Sequence, residues 1–156
     1  METLNDKEIL EMIHRGGVFD NVDGSSLFDV FKNVCKLINL PSYLSPEEVY
    51  KGLCTREELL STAVGYGISI PHSANCLIKE ANQQEICIVY LKHPLSINTP
   101  DRKPVSTLFI VLTMNSDFHM KTLEALSRLF RNIHFRNAIN NKVSEAVLAA
   151  IINNLA

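Results

Sequence analysis

Two short, uninterrupted apolar runs constrain the fold of this chain more than anything else in it. Residues 86–91 read ICIVYL and residues 107–114 read TLFIVLTM. Neither alternates in a way that would leave one face in water, and both are short and rich in β-branched side chains, so they read as strands buried on both faces. Strands of that kind need helices above and below them. The rest of the chain supplies candidates. Asn5 is placed to cap a helix in which Ile9, Met12 and Ile13 share a face and which Gly16-Gly17 ends. A first strand is expected over residues 18–22, then a turn at Asp23-Gly24 and a helix capped by Ser25 or Ser26. In that helix Leu27, Val30, Phe31, Val34, Leu37 and Ile38 recur at steps of three and four. Ser45-Pro46-Glu47-Glu48 is a helix-start signature with Glu48 three residues after the cap, leading into Val49, Tyr50 and Leu53. Thr55 is expected to cap a further turn, which would put Arg56 near a helix start. Residues 73–84 are polar and turn-like, and residues 94–104 read as a loop. Ser116 or Asp117 is expected to cap a helix with Leu123, Leu126, Leu129, Phe130 and Ile133 at core spacing, and residues 144–155 read as a last amphipathic helix. Strands separated by helical segments predict an α/β sandwich, one domain over residues 1–156, with a mixed β-sheet flanked by helices on both faces.

Charge and composition narrow the function classes. Fifteen basic against seventeen acidic side chains give a net charge of −2, and neither end carries a basic block, which argues against a general nucleic-acid or anionic-membrane surface. No run of apolar residues is long enough to insert directly into a membrane, and the start METLNDKEILEM lacks a signal peptide's basic start and apolar core. The expected location is cytoplasmic. Cys35, Cys54, Cys76 and Cys87 make no C-x-x-C pair and are expected to be reduced and buried. His72, His93, His119 and a cysteine lack the tight spacing of a metal site, and Gly65-Tyr66-Gly67 is too short for a phosphate-cradling loop, so no metal and no cofactor are expected.

The chemistry concentrates in residues 55–73, TREELLSTAVGYGISIPHS. After the two glycines, Ile68-Ser69-Ile70 alternates as a short half-buried strand should. Pro71 is expected to stop the ladder and present His72 at the strand's end. A largely neutral imidazole there offers a lone pair to an electrophile, although an isolated histidine in a loop is also a common structural residue. Arg56 has a fork of donors shaped for carboxylate or phosphate, yet an arginine on a helix reads equally well as a solvated surface charge. Ser61 and Thr62 suit phosphate contact and turn or cap roles alike. His119 is placed in the first turn of its helix, where free N–H groups favour an anion and hold an imidazole neutral. If the strand before His119 runs parallel to the strand before His72, the two histidines meet at one sheet edge. His14, His93 and His134 read as surface or structural residues.

The run R-E-E-L-x-S-T-x-x-G-x-G-I-x-I-P-H, Arg56 to His72, resembles the phosphorylation-site signature of bacterial phosphotransferase-system enzyme IIA domains of the fructose/mannitol class, which includes the stand-alone nitrogen-regulatory type. Lys103-Pro104-Val105, the apolar run after it and His119 resemble the second half of the same domain. The resemblance implies that His72 accepts a phosphoryl group from a phosphocarrier protein, with Arg56 and His119 beside it and Ser61 and Thr62 as candidate phosphate contacts. It implies as downstream partners either regulatory protein targets or a separate IIB domain, with the sugar-specific role and a non-phosphorylated binding module as the alternatives. Absence of attached IIB or IIC segments favours the stand-alone regulatory branch. The chain departs from the usual pattern at Ala63-Val64, at Tyr66, where a small or polar residue is commoner, and after His72, where Ser73-Ala74-Asn75 supplies no basic side chain.

Overall fold

The two apolar runs pair with each other at the centre of the sheet and divide their side chains between its faces. In the computed structural model, which describes residues 3–155, they are β4, Glu85–Leu95, and β5, Val105–Leu112. They are antiparallel, with Ile86 opposite Val111 and Ile88 opposite Phe109. Ile86, Ile88, Tyr90, Phe109 and Val111 point into one core, while Cys87, Val89, Leu91, Leu108, Ile110 and Leu112 point into the other. Each run therefore has side chains to bury on both faces. Three shorter strands complete the sheet: β1, Val18–Val22; β2, Ala63–Gly65; and β3, Ile68–Ser69. The order is β1-β4-β5-β3-β2, with β1 parallel to β4, β3 parallel to β5, and the pairs β4–β5 and β2–β3 antiparallel.

Among the described residues six α-helices cover the sheet. On one face lie α1, Asp6–Gly16; α4, Ser116–Phe130; α5, Ile133–Asn140; and α6, Glu145–Asn153. Beneath them Phe109, Phe130 and Phe135 form an aromatic cluster with ring centroids 5.0 to 6.2 Å apart. The other face is covered by α2, Leu27–Cys35, and α3, Pro46–Leu59. The predicted caps hold α1, where Asn5 and Glu8 form a reciprocal capping box, and α3, where Ser45 and Glu48 do the same. Ser26 caps α2 and Ser144 caps α6. No described helix is long and apolar enough to cross a membrane.

Several local expectations are corrected. α3 is unbroken to Leu59, so Thr55 lies inside it and Arg56 sits in its last turn, where the carbonyl end of a helix favours a cation. The cap of α4 is Asn115, not Ser116 or Asp117; its extended backbone lets the side chain accept from Phe118 N. The stripe ending at Ile133 belongs to two helices. Asn132 caps α5 by accepting from His134 N and Phe135 N, which leaves Ile133 52% exposed. Leu37 lies beyond the end of α2 and is exposed. Strand β4 runs on through Pro94 to Leu95, shortening the loop that follows. Ser69 is buried instead of facing water, because its hydroxyl bonds the Thr62 hydroxyl at 2.8 Å. The four cysteines are free, but only Cys35 and Cys87 are buried; Cys54 is half-buried and Cys76 exposed.

Helix α1 ends directly on the backbone of β4. A Cβ at Gly16 would lie 2.1 Å from the Ile86 carbonyl oxygen, and Gly17, at φ +88°, accepts from Ile88 N through its own carbonyl. Gly16→Ala must therefore separate α1 from the sheet, and a loss of about 1–3 kcal/mol is expected for such overpacking. Chemical denaturation measures it; an unchanged midpoint would mean that α1 does not need this close approach.

Candidate active site

The site begins with the parallel pairing of β3 and β5. Ile68 is level with Thr107 and Ser69 with Leu108, so both strands run toward the same sheet edge. Pro71 lacks an N–H but does not end the ladder as expected. Its carbonyl accepts from Val111 N at 3.0 Å, and His72 forms one further parallel bridge with Val111. On the other side Ile70 N donates to Thr62 O at 3.0 Å, locking the approach to the histidine from both flanks. After β5 the chain turns through Thr113 and Met114 into α4, which brings His119 back over the same edge. The two imidazoles meet there with ring centroids 4.6 Å apart.

The His72 ring is oriented by the backbone two residues before it. Nδ1 lies 2.9 Å from the Ile70 carbonyl oxygen, which can only accept, so Nδ1 carries the proton and the lone pair is on Nε2. His72 is half-buried, and burial is the largest cause holding its pKa below the ordinary 6.5. The Ile70 hydrogen bond opposes that, Arg56 adds to it, and Glu57 opposes it. His119 is lowered further, to about 4, by burial first, then by the neighbouring His72 and by Arg56. Its backbone N–H is already used by Asn115 O, so the cause is burial between charges and not the free N–H groups expected at the helix start. Thr113 Oγ1 is 3.4 Å from His119 Nδ1. Both rings are thus neutral near pH 7.

Arg56 reaches this edge because α3 packs closely on the residue after His72. A Cβ at Gly52 would stand 2.4 Å from Ser73 Oγ, so only glycine lets the helix approach so near. Arg56 is four residues on, on the same helical face. Its Nη1 donates to Leu60 O at 2.7 Å, which anchors the guanidinium beyond the end of α3 while leaving donors on its other nitrogens. Ser61 and Thr62 are engaged elsewhere. Ser61 Oγ donates to Asn98 O and accepts from Ala63 N. Thr62 is buried, and its N–H and hydroxyl both donate to the Glu57 carboxylate, at 2.9 and 2.6 Å. Glu57 is the site residue that sequence reasoning missed. Its partner lies past the helix end, where no periodicity signals a contact. His14, His93 and His134 are exposed, His14 pairing with Glu145 at 2.8 Å, and no group of three or more metal-ligating side chains converges among the described residues.

A mixed five-stranded sheet with helices on both faces is the fold of phosphotransferase-system IIA proteins. The chain belongs to the family described as phosphoenolpyruvate-dependent sugar phosphotransferase system, EIIA 2, which matches residues 11–155. Among its relatives is the nitrogen regulatory protein of Pseudomonas aeruginosa, 25% identical over 136 residues, covering 85% of this chain and 86% of that one. The crystal structure of nitrogen regulatory protein IIA-Ntr from Neisseria meningitidis superposes with a TM-score of 0.71 at 28% identity, over 92% of this chain and 94% of that one. The Escherichia coli mannitol IIA, in a complex with phosphorylated mannitol IIB, shares the fold at a TM-score of 0.56 and 12% identity, over 90% of this chain and 88% of that one.

The electrostatics are directly measurable. Arg56→Gln should raise the pH at which both rings titrate, since its charge contributes to both depressions. Ring-proton shifts followed by NMR through the acidic range check this, and unchanged titrations would place Arg56 outside electrostatic reach. The stability sign follows from the same shift. An unfolded His119 takes its proton near 6.5 and the folded one only near about 4, so its contribution is intact above pH 6.5 and is lost as pH falls toward 4. His119→Asn should flatten that limb of the stability profile.

Proposed function

We propose that the protein is a phosphoryl carrier in which Nε2 of His72 takes a phosphoryl group from the phosphohistidine of a small phosphocarrier protein. The observation that carries this reading is the fixed tautomer of His72: a backbone carbonyl holds Nδ1–H and leaves the Nε2 lone pair free, with the His119 ring 4.6 Å away between centroids and the Arg56 charge near enough to act on the imidazole. In the transfer the Nε2 lone pair forms the new N–P bond as the donor's N–P bond breaks, and the donor imidazole leaves with the electron pair. His72 keeps its Nδ1 proton and becomes cationic, so its bond to the Ile70 carbonyl strengthens as the reaction proceeds. Positioning and charge stabilisation are most of what such a transfer requires.

Arg56 and His119 are assigned to the oxygens of the group in flight. Arg56 supplies full positive charge. His119 supplies an N–H from a neutral ring, and the arriving dianion favours its protonation, reversing the effect of Arg56 and His72 on it. Ser61 and Thr62 are assigned to the framework: Thr62 clamps Glu57 at the end of α3, and Ser61 fastens the loop at Asn98. With no basic residue after His72, Arg56 is the principal cation of the site. The similarity to nitrogen regulatory proteins supports a regulatory output, in which a partner distinguishes His72 from phospho-His72; the alternative is onward transfer to a separate IIB domain.

Incubation with phosphoenolpyruvate, enzyme I and the phosphocarrier should add one acid-labile phosphoryl group to the wild type and none to His72→Ala, as read by intact mass. Equal labelling of the two proteins would end the assignment. Arg56→Ala and His119→Ala should remain folded and slow the transfer roughly 10- to 1000-fold, the effect of removing one electrostatic donor. Rapid-quench rates indistinguishable from wild type in both would leave His72 without its supporting residues.

A further inference from the structure

Backbone strain in this molecule is gathered at the end of the sheet away from His72. Among the described residues the non-glycine positions with positive φ are Asn21 (54°), Tyr66 (58°), Arg102 (60°) and Lys142 (52°). Asn21 is at the end of β1, next to the residue level with Leu91. Lys142 donates its Nζ to the Leu91 carbonyl. Tyr66 is at the tip of the β2–β3 hairpin, and Arg102 is in the β4–β5 loop that closes on it. His72 pairs with Val111, whereas Gly67 O accepts from Ser106 and Thr107, so the two ends are roughly 15 Å apart at about 3.3 Å per residue. Left-handed backbone costs a non-glycine residue about 1–2 kcal/mol, and strain held in place by surrounding structure points to use.

What the strain presents is an aromatic ring in a basic setting. Tyr66 is 46% exposed, its N–H donates to Asp101 at 2.8 Å, and the Arg136 guanidinium lies 4.4 Å from its ring centroid. Beside it, in the β4–β5 loop next to Asp101, Arg102 and Lys103 are exposed. Asp101 also accepts from Lys103 N and keeps its negative charge, its backbone hydrogen bonds holding the carboxyl below the ordinary range, but Arg102, Lys103 and Arg136 outnumber it at the hairpin tip. The result is a local positive surface on a chain of net charge −2.

We propose that this end, centred on Tyr66 and Arg136, is a docking surface for an acidic segment of a partner protein, separate from the phosphoryl-transfer edge. Exposed Tyr and Arg together are the composition of interaction hot spots. Asp101 keeps its charge among these basic side chains, and the net charge opposes long-range attraction of a polyanion, so a compact acidic protein surface fits better than nucleic acid. A partner bound here leaves His72 open to a phosphocarrier at the opposite edge.

The test is a titration of the full chain with a short synthetic Glu/Leu peptide, followed by amide NMR, with oligothymidylate and phosphatidylglycerol vesicles run in parallel. Saturable shifts at residues 64–67, 101–103 and 136, absent at His72 and at least about tenfold weaker in affinity for the Arg102→Glu/Lys103→Glu double variant, are expected. Tyr66→Asn supplies a second arm. Asparagine suits left-handed backbone, so this variant should be at least as stable as wild type yet bind the peptide more weakly. No saturable shift, shifts centred on His72, tighter binding of oligothymidylate or vesicles, or undiminished peptide binding by both variants would overturn the proposal.

Discussion

The hydrogen bond from Val111 N to Pro71 O is the constraint on which the site depends. It carries the parallel pairing of β3 and β5 one step past the proline, fixing where His72 emerges relative to the strand that leads into α4. Because β5 lies between β4 and β3, the turn after β5 delivers His119 onto the edge where β3 ends. The two rings meet through strand order, without a hydrogen bond between them. Loss of that register by one residue would turn His72 to the other face of the sheet.

The electrostatic design follows from burial. An exposed imidazole near pH 7 is partly protonated and correspondingly poor as a nucleophile. Half-burial of His72 and His119 with Arg56 nearby disfavours a second and third positive charge, so both rings stay neutral. The Ile70 carbonyl then decides which nitrogen of His72 is free. Glu57 partly offsets Arg56 at His72, and by holding Thr62 it ties the end of α3 to β2, so charge and position are set by the same side chain. In the proposed transfer this leaves a neutral ring to attack and an arginine to receive a dianion.

Much of this was legible in the sequence because local chemistry agreed with the fold. The runs at 86–91 and 107–114 had to be buried on both faces, and the Asn5 cap and the capping box at Ser45 marked helix starts. The Pro71-His72 pair and the signature around it marked the stretch that matters. What stayed hidden was tertiary. Ile133 continues the spacing of α4, and only the Asn132 cap shows that a new helix begins. Thr55 has the chemistry of a cap but stands inside α3, among residues that prolong a helix. The hydroxyls of Ser61 and Thr62 find Asn98 and Glu57 through folding alone. Likewise Tyr66, Lys103 and Arg136 are distant in sequence, and topology alone collects them at one end of a chain whose overall charge is negative.

The proposed transfer turns on which nitrogen of His72 bonds phosphorus. Phosphorylation of 15N-labelled protein followed by long-range 1H–15N correlation of the imidazole identifies the bonded atom. The prediction is a phosphorus on Nε2 with the Nδ1 proton retained and still bonded to the Ile70 carbonyl. A phosphorus on Nδ1, or a spectrum in which His72 remains unmodified while another residue carries the group, would contradict it.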